Sequence, residues 1–458
     1  VGSEMCIRDR HSPSATQKKR LKALSQQAAI LWDLATRRLR IAEQEIHRSI
    51  TLWGQEEQEK VPAVTREQVE ASLRDANSAY QRLSTVMDIW CALCYWPTTL
   101  DPALLPTWEE WLDFLEGMLG ILEVGDRISR KNADQESLFG ADTWDTLEER
   151  EHATLLFSQC EDAHQLLDAT PWAGEAKRIS DREGFFHWWL DFAPLFADNG
   201  GFDIMVGNPP WVRPTWEEAG VLAELDPWWQ LNPKAAEGAK RHRKEQLLES
   251  IDNRVFYLDE VASHEAQRSV VSYPSDYPLL AGTQPDLYRC FMTRTWELVS
   301  ADGAIGLIHP ESHLTEKAAI QLRIQTYRRL RRHFQFINEL KLFEITDRAT
   351  FGVHIYSSPQ TPDFVQLTSL YHPETALRSF AHDGSGPLPA IKNPAGGWDL
   401  RPHKDRITHI NLDVLKTWAS LNGDEVSDWA STKMLYFLNS EVAAAGEKLA
   451  GTPRLKSI

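Results

Sequence analysis

Asn208, Pro209, Pro210 and Trp211 place an amide, two rigid residues and a large flat ring in four consecutive positions. A short apolar run, Ile204-Met205-Val206, precedes them and reads as a buried strand. Gly207 lets the backbone turn sharply at its end. The asparagine side chain offers one acceptor oxygen and two donor hydrogens. Proline has no N–H, a fixed φ and a free carbonyl. Two acceptors held rigidly beside an aromatic plate suit a planar group that carries an NH2, such as an unstacked adenine.

The run Gly201-Phe202-Asp203 followed by Asn208-Pro209-Pro210-Trp211 resembles the amino-group (N6-adenine) DNA methyltransferases. Their signature is Asn/Asp/Ser-Pro-Pro-aromatic at the end of a strand. The resemblance implies methyl transfer from S-adenosylmethionine to adenine N6 in double-stranded DNA. The target base must leave the stack to be reached. It also assigns roles to residues. The Asn208 oxygen and the Pro209 carbonyl would accept the two N6 hydrogens, with Pro210 stiffening the loop and Trp211 stacking on the flipped ring.

Further positions follow from the same resemblance. Asp191-Phe192 lies 17 positions before Asn208 and matches the acidic-aromatic pair that binds the cofactor's adenine. Asn208 also borders the cofactor in that scheme. Asp286-Leu287-Tyr288 resembles a later segment in which Leu287 would line the cofactor pocket. Leu342-Phe343-Glu344-Ile345 and Thr350-Phe351-Gly352-Val353 resemble a late motif whose aromatic closes over the base. Phe343 is the choice for that clamp and Phe351 the reserve. Core packing is the alternative for each. The family's glycine-rich cofactor turn is not found. Ile121 to Asp126 begins like one but lacks the following glycines, and the turn is expected upstream of residue 11.

Composition narrows the class. With 458 residues, 42% of them apolar, the chain can build a sizeable core. No apolar run reaches the roughly 18–20 residues of a membrane helix. Five cysteines in so long a chain favour a reducing compartment, so a cytoplasmic location is the expectation. The Cys91/Cys94 pair sits in a helix-like apolar stretch with no second pair nearby, and no metal is assigned. A net charge of −17 is a poor match to a simple nucleic-acid binder. Two basic clusters offset it, Lys240 to Lys244 and the arginines 323, 328, 329, 331 and 332. Each is either a solvated helix face or a phosphate contact.

The elements that must position the loop are legible in outline. Residues 1–10 have no periodicity and read as a non-native scar. Residues 11–180 show helical spacing, for example Leu21, Leu24, Ala28 and Leu31. Thr65-Arg66-Glu67-Gln68 is a capping start. The catalytic region spans 181–360, with Phe185 to Leu190 as one strand, Phe202 to Val206 as the next, and 213–280 as an insertion without clean periodicity. After Asp286 the pattern runs helix, strand (304–308), helix (about 315–333), then strands at 336–342 and 353–356. This is the alternation of an α/β doubly wound sheet, Rossmann-like and incomplete, preceded by a helical region. Residues 361–458 read as sheet edge, with further short strands at 361–385, and as the place where a target-recognition region could begin.

Ligands of such sheets bind at the carboxyl ends of the strands, where Asn208 falls. Size and insertion resemble the large methyltransferases of restriction-modification and phage-defence systems, whose other subunits would be partners. Two other readings stay open. One is methylation of a protein amide nitrogen, which uses the same loop. The other is a non-catalytic DNA-binding scaffold.

Overall fold

The computed structural model describes residues 12–48, 64–97, 99–121, 143–284 and 286–452. Val124-Gly125, in the glycine-turn candidate, lies outside them, as do residues 1–10. The chain divides into two compact units, one of residues 1–198 and 216–270, the other of 199–215 and 271–458.

The first unit is helical throughout its described part. Thr65 and Gln68 form the expected capping box, each side chain bonding the other's backbone N–H. Thr107 and Glu110 repeat it ahead of the Trp108–Leu119 helix. Leu31, Ile89, Leu112 and Met118 are completely buried and, with Trp111 and Trp172, form the core. Two buried arginines close helix ends. Arg82 donates to the Met118 carbonyl at 3.0 Å. Arg38 pairs with Glu151 at 2.5 Å, and the other Glu151 oxygen accepts the Ala79 N–H at 2.6 Å. That carboxylate lies at the positive end of the Ala79–Leu93 helix.

The expected strand at Phe185 to Leu190 is not formed. Trp188–Asp191 is a helical turn, closed because Asp191 accepts the His187 N–H at 3.0 Å. Much of the insertion also belongs to this unit. It forms helices Glu218–Leu225, Trp228–Leu231, Glu237–Leu247 and Ile251–Val271. Its periodicity is faint because Glu237–Leu247 buries none of its residues.

The second unit is an α/β sheet of six strands. These are β1 (Phe202–Gly207), β2 (Val299–Pro310), β3 (Leu330–Ile337), β4 (Thr350–Tyr356), β5 (Asp363–Leu370) and β6 (Thr408–Asn411). Their spatial order is β1-β2-β4-β3-β5-β6. β1 runs parallel to β2 and β3 parallel to β5, while β2/β4, β3/β4 and β5/β6 are antiparallel.

One face carries Ile305, Leu307, Leu330, Tyr356 and Phe364. Helices Leu287–Leu298, Ile320–Arg329 and Leu412–Asn422 cover it with Tyr288, Met292, Leu322, Tyr327, Leu415 and Trp418. The opposite face carries Phe334, Phe336, Phe351 and Leu367. The helix expected over 315–333 is shorter, because Leu330 already begins β3 and Arg331 and Arg332 lie in that strand. Of the strands expected over 361–385, only β5 forms, and Pro373–Ala381 is a helix begun by proline at its first turn.

Candidate active site

β1 is an edge strand, paired with β2 from Phe202 to Gly207. At its carboxyl end the chain leaves the sheet as Asn208-Pro209-Pro210-Trp211. Asn208 is exposed, and among the described residues its carboxamide has no hydrogen-bond partner, so acceptor and donors are uncommitted. Pro209 is buried and Pro210 exposed. Neither proline has an N–H to satisfy, so the turn needs no partner on that side. Trp211 anchors the far end by donating its indole N–H to the Ile308 carbonyl at 3.1 Å. Beyond it, the Val212 carbonyl accepts the Leu287 N–H at 3.0 Å, and Arg213 pairs with Asp286 and Gln284.

These contacts frame a cavity of about 450 Å³ lined by Trp211, Arg213, Asp286, Tyr288, Pro310 and Ser312, among others. Its wall is a charged network around Arg289, which is fully buried. Arg289 donates to the Tyr288 hydroxyl at 3.1 Å and the Ser312 hydroxyl at 2.9 Å, and pairs with Glu316 and with Asp286 at 3.3 Å. Burial pushes the Tyr288 hydroxyl above its ordinary range, against the opposing pull of Arg289. Tyr288 therefore stays protonated and meets the Ser312 hydroxyl at 2.8 Å.

The structure brings together Trp211, Phe343 and Phe351. The Trp211 ring lies 5.1 Å from Phe343 at 55° and 5.5 Å from Phe351 at 36°. A base held between two rings would need about 7 Å between them, two contact distances of about 3.5 Å. Phe343 and Trp211 thus pack on one another in this conformation and leave no slot for a base between them. Phe351 is nearly fully buried and stacks on Phe336. Asn338, which sequence reasoning missed, holds the Phe343 segment. Its amide oxygen accepts the Phe343 N–H at 3.0 Å, and its NH2 group reaches the carbonyls of Phe343, Ile345 and Thr346 at 3.0–3.3 Å.

Leu287 is half-buried and does not line the cavity, whereas its neighbours Asp286 and Tyr288 do. Asp191 and Phe192 belong to the helical unit. Asp191 accepts from the Tyr80 hydroxyl at 2.6 Å and from His187 N–H. Phe192 stacks on Trp188 at 5.7 Å and is 38% exposed.

The basic clusters are largely committed to the fold. Lys240, Arg243 and Lys244 pair with Glu237, Asp226 and Glu218. Arg323 is core, bonding the carbonyls of His313, Glu316 and Ser431. Arg331 bonds the Ser358 carbonyl at 2.6 Å. Arg241, Arg328 and Arg332 stay exposed.

A six-stranded mixed α/β sheet with a helical region before it is consistent with a methyltransferase-like fold. Residues 78–235, which include Asn208 to Trp211, match the family model of the Eco57I restriction-modification methylase. That match supports a DNA methyltransferase of a restriction-modification system. No curated protein matches the chain.

Among solved structures, the chain is similar to a modification subunit assigned to a type I restriction enzyme of Vibrio vulnificus YJ016. The identity is 9% and the TM-score 0.23, over 85% of this chain and 97% of that one. It is also similar to a nuclease-deletion mutant of the Type ISP restriction-modification enzyme LlaGI, solved in complex with a DNA substrate mimic. There the identity is 11% and the TM-score 0.18, over 79% of this chain and 36% of that one. Likenesses at these scores say nothing of the chemistry. No helix among the described residues is long and apolar enough to cross a membrane.

Proposed function

We propose that the Asn208–Trp211 loop is the catalytic loop of an adenine-specific DNA methyltransferase acting in a restriction-modification system. The observation that carries the reading is the uncommitted, exposed Asn208 carboxamide at the carboxyl end of β1, within a segment that matches a methylase family. The Asn208 oxygen and the Pro209 carbonyl accept the two hydrogens of adenine N6. Those bonds draw the nitrogen from planar toward tetrahedral and free its lone pair for attack. Acceptors fixed where positive charge develops need no reorganisation during reaction. Trp211, braced by Phe343 and by its bond to Ile308, offers the flipped base a ring that does not have to be ordered on binding. The cavity it lines has the volume of a small-ligand site.

The methyl donor is S-adenosylmethionine, which supplies a methyl group on sulfonium. Asp191 fits its adenine edge in one respect: each carboxylate oxygen accepts one bond here and keeps a second lone pair. Phe192 adds a partly exposed ring. Leu287 does not line this cavity, and the pocket role proposed for it falls to its neighbours Asp286 and Tyr288.

The test is Asn208→Ala in the full chain, with a radiolabelled methyl donor and duplex DNA. By analogy with loss of one group from a charge-stabilising site, transfer should fall roughly 10²–10³-fold. Transfer at the parent rate would overturn the assignment, and label appearing in cytosine instead of adenine would overturn its base specificity.

A further inference from the structure

Behind the cavity, the covered face of the sheet holds an unusual row of polar side chains. Cross-strand register places Leu307, His354, His333 and Gln366 side by side over β2, β4, β3 and β5. In the next row His309, Gly352 and Gln335 are aligned. Glu311 and His313 follow directly after β2. His309, His313, His333 and His354 are all fully buried, and Glu311 is 4% exposed. Four imidazoles and a carboxylate buried together are costly unless each finds a partner.

Partners are missing where they matter. His309 is committed, bonding the Tyr356 hydroxyl at 3.0 Å and the Pro310 carbonyl at 2.8 Å. Among the described residues, none makes a hydrogen bond to any of the four ring nitrogens of His354 and His313. One ligand atom each from Glu311, His333 and His354 lies within 4.8 Å of the other two. Gly352 makes the room, since a β-carbon there would overlap the His354 ring.

We propose that Glu311, His333 and His354 form a binding site for a divalent transition-metal ion, with Zn²⁺ the expected occupant and His313 the fourth ligand. Two imidazoles and a carboxylate are a recognised zinc ligand set, and structural sites add a fourth protein donor. At bond lengths of about 2.0–2.2 Å, tetrahedral ligand atoms stand roughly 3.3–3.6 Å apart, so each pair must close by at most about 1.5 Å. The His313 and His354 ring centroids are 6.0 Å apart, within reach of side-chain rotation.

His333 must exchange a proton between its nitrogens. Its Nε2 now meets Glu311 at 2.5 Å and its Nδ1 meets the Gln366 amide nitrogen at 3.3 Å. The Gln366 amide oxygen is buried without a partner. Turning that amide over lets Nδ1–H donate to it, which frees Nε2 for the metal and fixes the ring. No redox change or leaving group is involved. The ion would brace β2, β3 and β4 directly behind Tyr288, whose ring stacks on His309 at 5.2 Å.

The test uses the full chain without a histidine tag. After incubation with Zn²⁺ and desalting, elemental analysis should find about one zinc per chain. Co²⁺ should give visible d–d bands that saturate at one equivalent and vanish on adding Zn²⁺. The His354→Gln and Glu311→Gln variants should each lose stoichiometric metal. Parent protein with neither bound zinc nor a Co²⁺ spectrum overturns the proposal, whatever the variants do. A variant that keeps a full equivalent removes its residue from the ligand set.

Discussion

At the scale of single residues, Trp211 does two separable things. Its indole N–H is tied to the Ile308 carbonyl, and its ring packs against Phe343 and Phe351. Trp211→Phe keeps an aromatic ring and deletes one hydrogen bond, a loss of about 1 kcal/mol. Trp211→Ala also removes the ring, yet the site is only half-buried, so the cost should stay below the ~3–5 kcal/mol of a fully buried aromatic. Urea denaturation of both variants measures the difference. Equal destabilisation would mean that the ring contributes nothing and the bond everything. Asn208 differs in kind, because it makes no bond that its removal could break. Asn208→Ala should leave the denaturation midpoint unchanged, which separates a chemical defect from a folding one.

At the scale of elements, the Phe343 segment depends on one buried side chain. Asn338 satisfies one N–H and reaches three carbonyls between residues 343 and 346. Asn338→Ala removes all of these, at a cost of roughly 1–3 kcal/mol. Hydrogen exchange should quicken at the Phe343 amide while β4 keeps its protection, since the β4 ladder to β2 does not use Asn338. An unchanged Phe343 amide would show that the segment is held by something else.

The elements also show what the sequence discloses and what it hides. The strand-turn at Ile204 to Trp211 was legible because a β-prone run meets a glycine and two prolines, but the strand is not buried as expected: β1 is an edge strand and Ile204 and Val206 are exposed. Phe185 to Leu190 misled because aromatic density alone does not distinguish a strand from a turn of helix. The arginine run suggested one helix face, but Leu330 starts a strand within it. The histidine row was invisible, because positions 309, 333 and 354 meet only through the register of β2, β4 and β3. The alternation of helix and strand, by contrast, gave the α/β class correctly.

At the scale of the whole molecule, the question is how a chain of net charge −17 would approach DNA. Non-specific affinity comes from phosphates neutralised by cations, and log K falls with log salt at about 0.9 per phosphate. The two basic clusters offer fewer cations than they contain. Lys240, Arg243 and Lys244 are paired within their unit, and Arg323 is core. Arg241, Arg328 and Arg332 remain exposed. Arg332 lies over the Phe380 ring, so its charge is held near an apolar surface but is not neutralised. If contacts come from these clusters, the salt slope of DNA binding should be no steeper than about −3.

Fluorescence anisotropy with a labelled duplex across a salt series measures that slope. Arg241→Glu and Arg328→Glu should each flatten it by about one. A slope of about −6 or steeper, unmoved by either substitution, would place the phosphate contacts on another surface. The restriction-modification reading would survive that result, because it rests on Asn208 and the methylase match, whereas the view of these arginines as the DNA contact would not.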